Sequence, residues 1–133
     1  MSSKPETTFI ASVHKHLPPK LYRMKTHNPY IGGPADVWYS GSKGDLWVEY
    51  KFIPKITPAL CALPALSALQ LQWLNERYAE GRNVAVIVGC KEGGVLYQDK
   101  DWEKPLDPDQ FNRLLKTRDQ LARWILAFTQ GGP

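Results

Sequence analysis

The sequence predicts a single α/β domain in which a central mixed β-sheet is flanked by helices, with core elements in the order αβββαβ and an added C-terminal helix. Three observations predict this class. Two apolar stretches flank a Ser/Gly-rich loop at residues 40–45, as in a β-hairpin. A helical repeat follows over about residues 64–81, and Val84–Val88 is uninterruptedly apolar, which is typical of a strand buried on both faces. Because strand, helix and strand in succession favour a right-handed parallel crossover, we expect a mixed sheet.

The first element is a helix from about Ser3 to Leu17, and Glu6 has two possible roles in it. Ser3 and Glu6 can form a capping box at its start. Glu6 also shares one helical stripe with Ile10 and Val13, and that stripe should pack on the sheet. Capping and a role in a functional site therefore both remain open for Glu6.

A short first strand is expected from about Lys20 to Lys25, followed by a polar turn. Arg23, Lys25 and His27 could line a path for phosphate groups. A histidine in a loop flanked by Pro and Gly is, however, more often a solvated surface residue than a general base.

The hairpin sets two carboxylates opposite each other. If the chain turns between Ser42 and Lys43, Asp36 lies across from Glu49. Directly opposed side chains have Cβ atoms roughly 5 Å apart, and like charges there repel, so sheet stability does not favour this pair. A bound divalent cation such as Mg²⁺ would remove the repulsion.

Alternation along the second hairpin strand places Glu49 and Lys51 on one face and Tyr50 on the other. Lys51 would then lie beside a nucleophilic water or a phosphate. Alternatively, the carboxylates are solvated and Lys51 is their salt-bridge partner. Bulky apolar residues on both faces of the hairpin disfavour that alternative, since they predict a sheet covered on both sides.

The second helix carries a polar residue beside its apolar stripe. An extended linker over residues 54–64 leads into this helix, which we expect to run from near Pro64 to Gly81. Gln70 lies one turn from the buried stripe, where its amide needs partners, whereas Gln72 is expected to be exposed. The partner of the Gln70 amide is either a group of the functional site or the carbonyl of a loop residue. The predicted stripe consists of Leu66, Leu69, Trp73, Leu74 and Tyr78.

The C-terminal third shows little chemistry. A short edge strand is predicted at Val95–Gln98, then a polar loop anchored by Trp102. One last helix opens with a capping box at Asp107 and ends at Gly131. Its basic polar side is by default a solvated face.

Length, composition and charge narrow the classes of function that are possible but do not identify one. The 133 residues, 43% of them hydrophobic, suffice for one domain with a core at about residues 3–98 and the C-terminal helix at about 107–129. The net charge of +4 favours an anionic partner. Cys61 and Cys90 lie too far apart to indicate a zinc site or a disulfide framework. Neither a signal segment nor a membrane span is visible, so a soluble, cytoplasmic protein is expected.

The spacing of Asp36 and Glu49-Tyr50-Lys51 resembles the core motif of the PD-(D/E)XK nuclease superfamily, although the proline of Pro34-Ala35-Asp36 stands one position early. The pattern Ser67-x-x-Gln70-x-x-Trp73-Leu74 resembles the virus-type replication-repair (VRR-NUC) group. Residues 28–36 are similar to small phage endonucleases, including the endonuclease I type of Holliday-junction resolvase. The resemblance covers about residues 6–88.

This resemblance implies a restriction-endonuclease-like core that hydrolyses DNA in the cytoplasm of a bacterial host. Asp36, Glu49 and the Tyr50 carbonyl would hold one or two Mg²⁺ ions, which Mn²⁺ can replace, with Glu6 acting directly or through water. Lys51 would orient or help deprotonate water, and Gln70 would approach the site.

The implied substrate is branched or duplex DNA, including Holliday junctions, bound by a homodimer. Arg23, Lys25, His27 and Lys43 are the candidate DNA contacts. Two alternatives stay open. One is a noncatalytic nucleic-acid-binding or assembly protein on a nuclease-like fold, and the other is cleavage of RNA.

Overall fold

Five strands form one mixed β-sheet, and their order in space is their order along the chain. The computed structural model describes residues 4–26 and 32–131. The strands are β1 (Tyr22–Lys25), β2 (Val37–Gly41), β3 (Gly44–Phe52), β4 (Val84–Cys90) and β5 (Gly93–Tyr97). Strands β3 and β4 are parallel, and the other neighbouring pairs are antiparallel. The predicted mixed sheet and the αβββαβ core order are confirmed.

Helices cover both faces of this sheet. They are α1 (Lys4–His14), α2 (Pro58–Cys61), α3 (Ala68–Ala79), α4 (Pro108–Leu114) and α5 (Arg118–Gln130). Helices α1 and α5 pack on one face, where one apolar cluster forms the core. Helices α3 and α4 pack on the other face around a second cluster, which includes the predicted anchor Trp102. Every residue of β4 is buried between the two layers, as its apolar sequence predicts.

The hairpin register is the predicted one. Val37 pairs with Val48 and Gly41 with Gly44, so the chain turns at Ser42 and Lys43. Extending this register by one residue brings position 36 opposite position 49. Every second side chain of β3 belongs to the core under α1 and α5. The side chains between them, which include Glu49, therefore face α3.

The prediction for the second helix was wrong at its start. Helix α3 begins at Ala68, because Ser67 and Gln70 form a complete capping box. Leu69, which we predicted to be buried, is 57% exposed, since the helix turns Leu74 into the core instead. The linker before it is also not fully extended: Thr57 caps the short helix α2 by accepting from Leu60 N–H.

The single C-terminal helix predicted from the sequence is two helices. The break occurs where Lys116 bridges to Gly94 of β5, with Lys116 N–H donating to Gly94 O at 2.8 Å and Gly94 N–H donating to Lys116 O at 3.0 Å. Thr117 and Gln120 then form a second capping box, which starts α5. Gly131 ends α5 with a left-handed φ of 70°, as expected of a helix C-cap glycine. Because α5 packs on β2, β3 and α1, it is part of the core.

Two smaller differences concern the N-terminal segment. Helix α1 ends at His14, three residues earlier than predicted, and the chain continues as hydrogen-bonded turns to Leu17. The proposed cap residue Ser3 lies outside the described residues. Strand β1 starts at Tyr22, two residues later than predicted.

Candidate active site

Asp36 precedes β2 directly, and its carboxylate is held by the neighbouring strand. The backbone N–H of Tyr50 donates to Asp36 Oδ2 at 2.8 Å. The first carboxylate is therefore fixed by a main-chain group of the strand that carries the second carboxylate. This contact orients Asp36 beside Glu49, as the hairpin register predicts.

Glu49 is only 1% exposed, which is rare for a carboxylate. Its Oε2 accepts from Gln70 Nε2 at 3.1 Å and lies 3.6 Å from Lys51 Nζ. Its Oε1 is buried and has no hydrogen-bond partner among the described residues. One oxygen of Glu49 is thus well paired, and the other is not.

Burial and the neighbouring Asp36 carboxylate oppose ionisation of Glu49. Burial, followed by the charge of Asp36, raises the pKa of Glu49 to about 9, although Lys51 acts in the opposite direction. A proton shared between the carboxyls of Glu49 and Asp36 would raise the pKa of Glu49 further, because it stabilises the neutral form. At neutral pH the buried oxygen therefore needs either a proton or a cation.

A hard divalent cation fits this need. Two carboxylates and a backbone carbonyl are oxygen ligands of the kind Mg²⁺ takes when it keeps several waters. Within residues 4–26 and 32–131, however, no group of three or more His, Cys, Asp or Glu is placed to hold a metal ion. The protein ligands would accordingly be Asp36, Glu49 and the Tyr50 carbonyl, with the remaining positions left to water and substrate.

Glu6 lies at the N-terminal end of α1, within electrostatic reach of the pair. Burial raises its pKa, Lys51 lowers it and Asp36 raises it again. The pKa of Glu6 therefore depends on the charges of Lys51 and Asp36. Among the described residues, however, Glu6 is not part of a group of three or more His, Cys, Asp or Glu that could hold a metal ion. A role through water stays a prediction for Glu6.

The Gln70 amide donates to Glu49, one of the two partners that the sequence left open, and it also caps α3, a contact that the sequence analysis did not predict for Gln70. Its Oε1 accepts from Ser67 N–H at 3.0 Å, which completes the cap of α3, while its Nε2 donates to Glu49. The cap fixes the rotamer that presents the amide to the carboxylate. Gln72, the expected exposed control, contacts only Glu76 on the surface of the same helix.

Replacing Gln70 with Ala is expected to slow catalysis by about 10-fold to 100-fold, the usual effect of losing a residue that orients a metal ligand. The chain offers matched controls, because Gln110 and Gln120 also complete capping boxes, on the other helices α4 and α5. All three Ala variants should lose similar helix stability, measured by thermal unfolding. Equal loss of activity in all three would show that Gln70 acts only as a cap.

The candidate DNA contacts are dispersed. Lys25 pairs with Val37, the residue after Asp36, so its side chain starts on the Val37 face of the sheet, where its charge acts on His14, and not on the Glu49 face. Arg23 donates to Pro18 O at 2.9 Å, which ties its guanidinium to the protein. Lys43 lies in the hairpin turn, at the opposite end of β2 from Asp36 and about 20 Å away along the strand. His27 lies outside the described residues.

Sequence reasoning missed a buried polar chain behind the site. His14 Nε2 and the hydroxyl of Tyr39 are 2.7 Å apart, and that hydroxyl is 2.6 Å from the hydroxyl of Tyr50. Burial, with Arg23 and then Lys25 nearby, lowers the pKa of His14 to about 4, so the imidazole is neutral. The signal was available, since His14 lies one helical turn after the buried Ile10. These contacts with Tyr39 and His14 fix the side chain of Tyr50, and the backbone N–H of Tyr50 donates to the Asp36 carboxylate.

The comparisons with known proteins agree with this architecture. A solved structure of Hjc, a Holliday junction resolvase from the archaeal hyperthermophile Archaeoglobus fulgidus, matches over 92% of this chain and 99% of that chain, with a TM-score of 0.55 and 14% identity. The fold is restriction-endonuclease-like. At this identity the match shows the fold alone. No family model matches the chain, and no curated protein does.

Proposed function

We propose that this chain is a metal-dependent DNA endonuclease of the phage type, acting in the cytoplasm on branched DNA. The observation that carries this proposal is Glu49: a carboxylate buried against Asp36, with one oxygen lacking a donor among the described residues. Such a pair costs the sheet stability unless a proton or a cation joins it, and binding a cation gives the pair a chemical use. Lys51 and Gln70 complete the arrangement.

In the proposed mechanism, Asp36, Glu49 and the Tyr50 carbonyl would hold Mg²⁺, which Mn²⁺ could replace. When bound, the cation lowers the pKa of water and neutralises charge on the phosphate. Gln70 and the Tyr50 N–H keep the two carboxylates in place. Lys51, which lies 3.6 Å from Glu49, orients the attacking water or helps to deprotonate it.

The substrate preference for branched DNA rests on likeness of fold to an archaeal Holliday junction resolvase. A homodimer would present two such sites, one for each strand. Lys25 is the basic candidate nearest to Asp36 along the sheet, although its side chain starts on the Val37 face and not on the Glu49 face. No helix in residues 4–26 and 32–131 has the length and apolar character needed to cross a membrane.

Cleavage of a labelled four-way junction, a matched linear duplex and a matched RNA tests the proposal, each with Mg²⁺, Mn²⁺ or EDTA. We expect metal-dependent cutting of the junction, and its loss in Asp36→Asn, which keeps an acceptor for Tyr50 N–H but removes the charge. Asp109→Asn, at an exposed position of α4, is the control. Sedimentation with and without the junction reports the dimer.

Each outcome separates the alternatives. Equal cutting of junction and duplex would remove the preference for branches but keep the nuclease. Preferential cutting of RNA would change the substrate class. Salt-sensitive DNA binding without cutting in any metal would favour the noncatalytic binding protein.

A further inference from the structure

A row of aromatic side chains lies on the same sheet face as Glu49. The rings of Trp38 and Trp47 are stacked, with centroids 5.9 Å apart and planes 29° from parallel. Trp73 of α3 meets Trp47 edge to face at 5.5 Å, and Tyr22 of β1 meets Trp38 in the same way at 5.5 Å. Tyr22 is 54% exposed, so the row continues from the sheet interior to the surface.

This row begins one layer of side chains from the candidate active site. Residues two apart on a strand share a face about 7 Å apart, and residues three apart on a helix are neighbours. Each of the three tryptophans follows this relation to one residue of the site. The pairs are Asp36 with Trp38, Glu49 with Trp47, and Gln70 with Trp73.

The tryptophans line a groove of about 770 Å³, which we call the aromatic groove; its lining includes Trp38, Trp47, Trp73, Arg77, Arg82 and Asn83. The Trp38 indole Nε1 is buried and has no acceptor among the described residues. Because solvent does not reach this N–H, the parts of the tryptophans that are available to a ligand are their apolar ring surfaces.

The charge of the rim argues against a site for phosphate. Arg77 lies 5.7 Å from the centre of the Trp73 ring and forms an ion pair with Glu80 at 2.9 Å. Asp45 and Arg82 add one charge of each sign. A groove with balanced charge and aromatic walls suits a flat, uncharged ring.

We propose that the aromatic groove binds an unpaired nucleobase of the strand whose phosphate occupies the Asp36–Glu49 site. Nucleobases have π-faces that stack on aromatic side chains and edges that carry acceptors. Bases within an intact duplex are already stacked and paired, so the groove selects DNA with an unpaired base beside the scissile bond. This inference rests on the proposed function and adds the substrate feature that the site recognises.

The test is binding of a labelled short oligothymidylate in EDTA, measured by fluorescence anisotropy, with a linear duplex as the second probe. Trp38→Leu should weaken binding of the single strand by about 5-fold to 30-fold and leave duplex binding unchanged. Trp124→Leu is the matched control, because Trp124 is also half-buried but packs against Phe128 on the opposite layer. Equal affinities for the Leu variants and wild type would overturn the inference.

A second variant guards against loss of folding. Trp38→Phe keeps an aromatic face and should retain most of the affinity, whereas a defect common to both Trp38 variants, accompanied by a lower melting temperature, would assign Trp38 a structural role only. If Trp38→Leu changes the sedimentation coefficient but not DNA binding, the groove is a contact between copies of the chain, which also overturns the inference.

Cleavage assays keep this inference distinct from the proposed function. If wild type cuts no DNA with Mg²⁺ and Trp38→Leu still weakens single-strand binding, the nuclease proposal fails and the groove stands. If wild type cuts branched DNA and Trp38→Leu cuts it with unchanged KM, the groove inference alone fails.

Discussion

Glu49→Gln is expected to reduce DNA cleavage by on the order of 10²-fold to 10³-fold or more, the range found when one preorganised electrostatic group is lost. Gln has nearly the same shape as Glu and can keep the contact with Gln70, so the fold should persist. It cannot supply the negative charge that a cation between positions 36 and 49 requires. The measurement is the single-turnover rate of junction cleavage at saturating Mg²⁺.

The control for this variant is Glu76→Gln, an exposed position on α3 whose carboxylate contacts only surface groups. Its cleavage rate should equal that of wild type. Persistence of metal-dependent cleavage in Glu49→Gln at a rate near wild type would remove Glu49 from the catalytic site and with it the proposed mechanism.

The same variant is expected to unfold less readily than wild type when metal is absent and the pH is alkaline, because wild type must then bury two neighbouring carboxylates with Lys51 as the one cation beside Glu49 among the described residues. The pKa of Glu49 is about 9 in the folded protein against 4.5 ordinarily, because of burial and then Asp36. Between those values the folded state binds more protons than the unfolded state. The free energy of unfolding therefore falls as pH rises, by up to about 1.4 kcal/mol per pH unit.

Urea unfolding in EDTA across pH 5 to pH 9 measures this effect. Wild type should lose stability through that window, and Glu49→Gln should show a flatter profile. His14 acts with the opposite sign: its pKa is lowered to about 4, so its contribution is lost as pH falls below 6.5 in both proteins. Parallel profiles for the two proteins above pH 7 would mean that Glu49 is already ionised in the folded state.

The lower cleavage rate and the higher stability expected of Glu49→Gln have the same cause. The buried carboxylate pair that is proposed to bind a cation lowers the stability of the folded protein when no cation is present. Adding Mg²⁺ should stabilise wild type more at high pH than at low pH, since a bound cation competes with the proton on Glu49. Glu49→Gln should respond much less to Mg²⁺ at any pH.

Much of the candidate site follows from local sequence rules. The turn at Ser42 and Lys43 sets the register, and the register sets Asp36 against Glu49. Alternation along β3 then separates the Glu49 face from the Tyr50 core face. Gln70 stood out because a polar amide beside an apolar stripe needs a partner.

Two of the wrong predictions, the single C-terminal helix and the buried Leu69, have a common physical origin. Helical periodicity continues through residues 114–118, but a bridge between Lys116 and Gly94, which are distant in sequence, interrupts it. Leu69 fits the apolar stripe of α3, yet the docking angle of the helix leaves it exposed. In both cases a tertiary contact overrides a local pattern that was equally compatible with another arrangement.

The sequence by itself determined the αβββαβ order of the core, the strand pairing of the hairpin and which two carboxylates lie opposite each other, because these depend on period and turn chemistry within a few residues. Only the tertiary structure decided that Glu49 is buried, that His14 reaches Tyr39, and that three tryptophans from two strands and a helix align beside the site. Those properties arise from desolvation and from contacts between segments far apart in the chain, which no local pattern records.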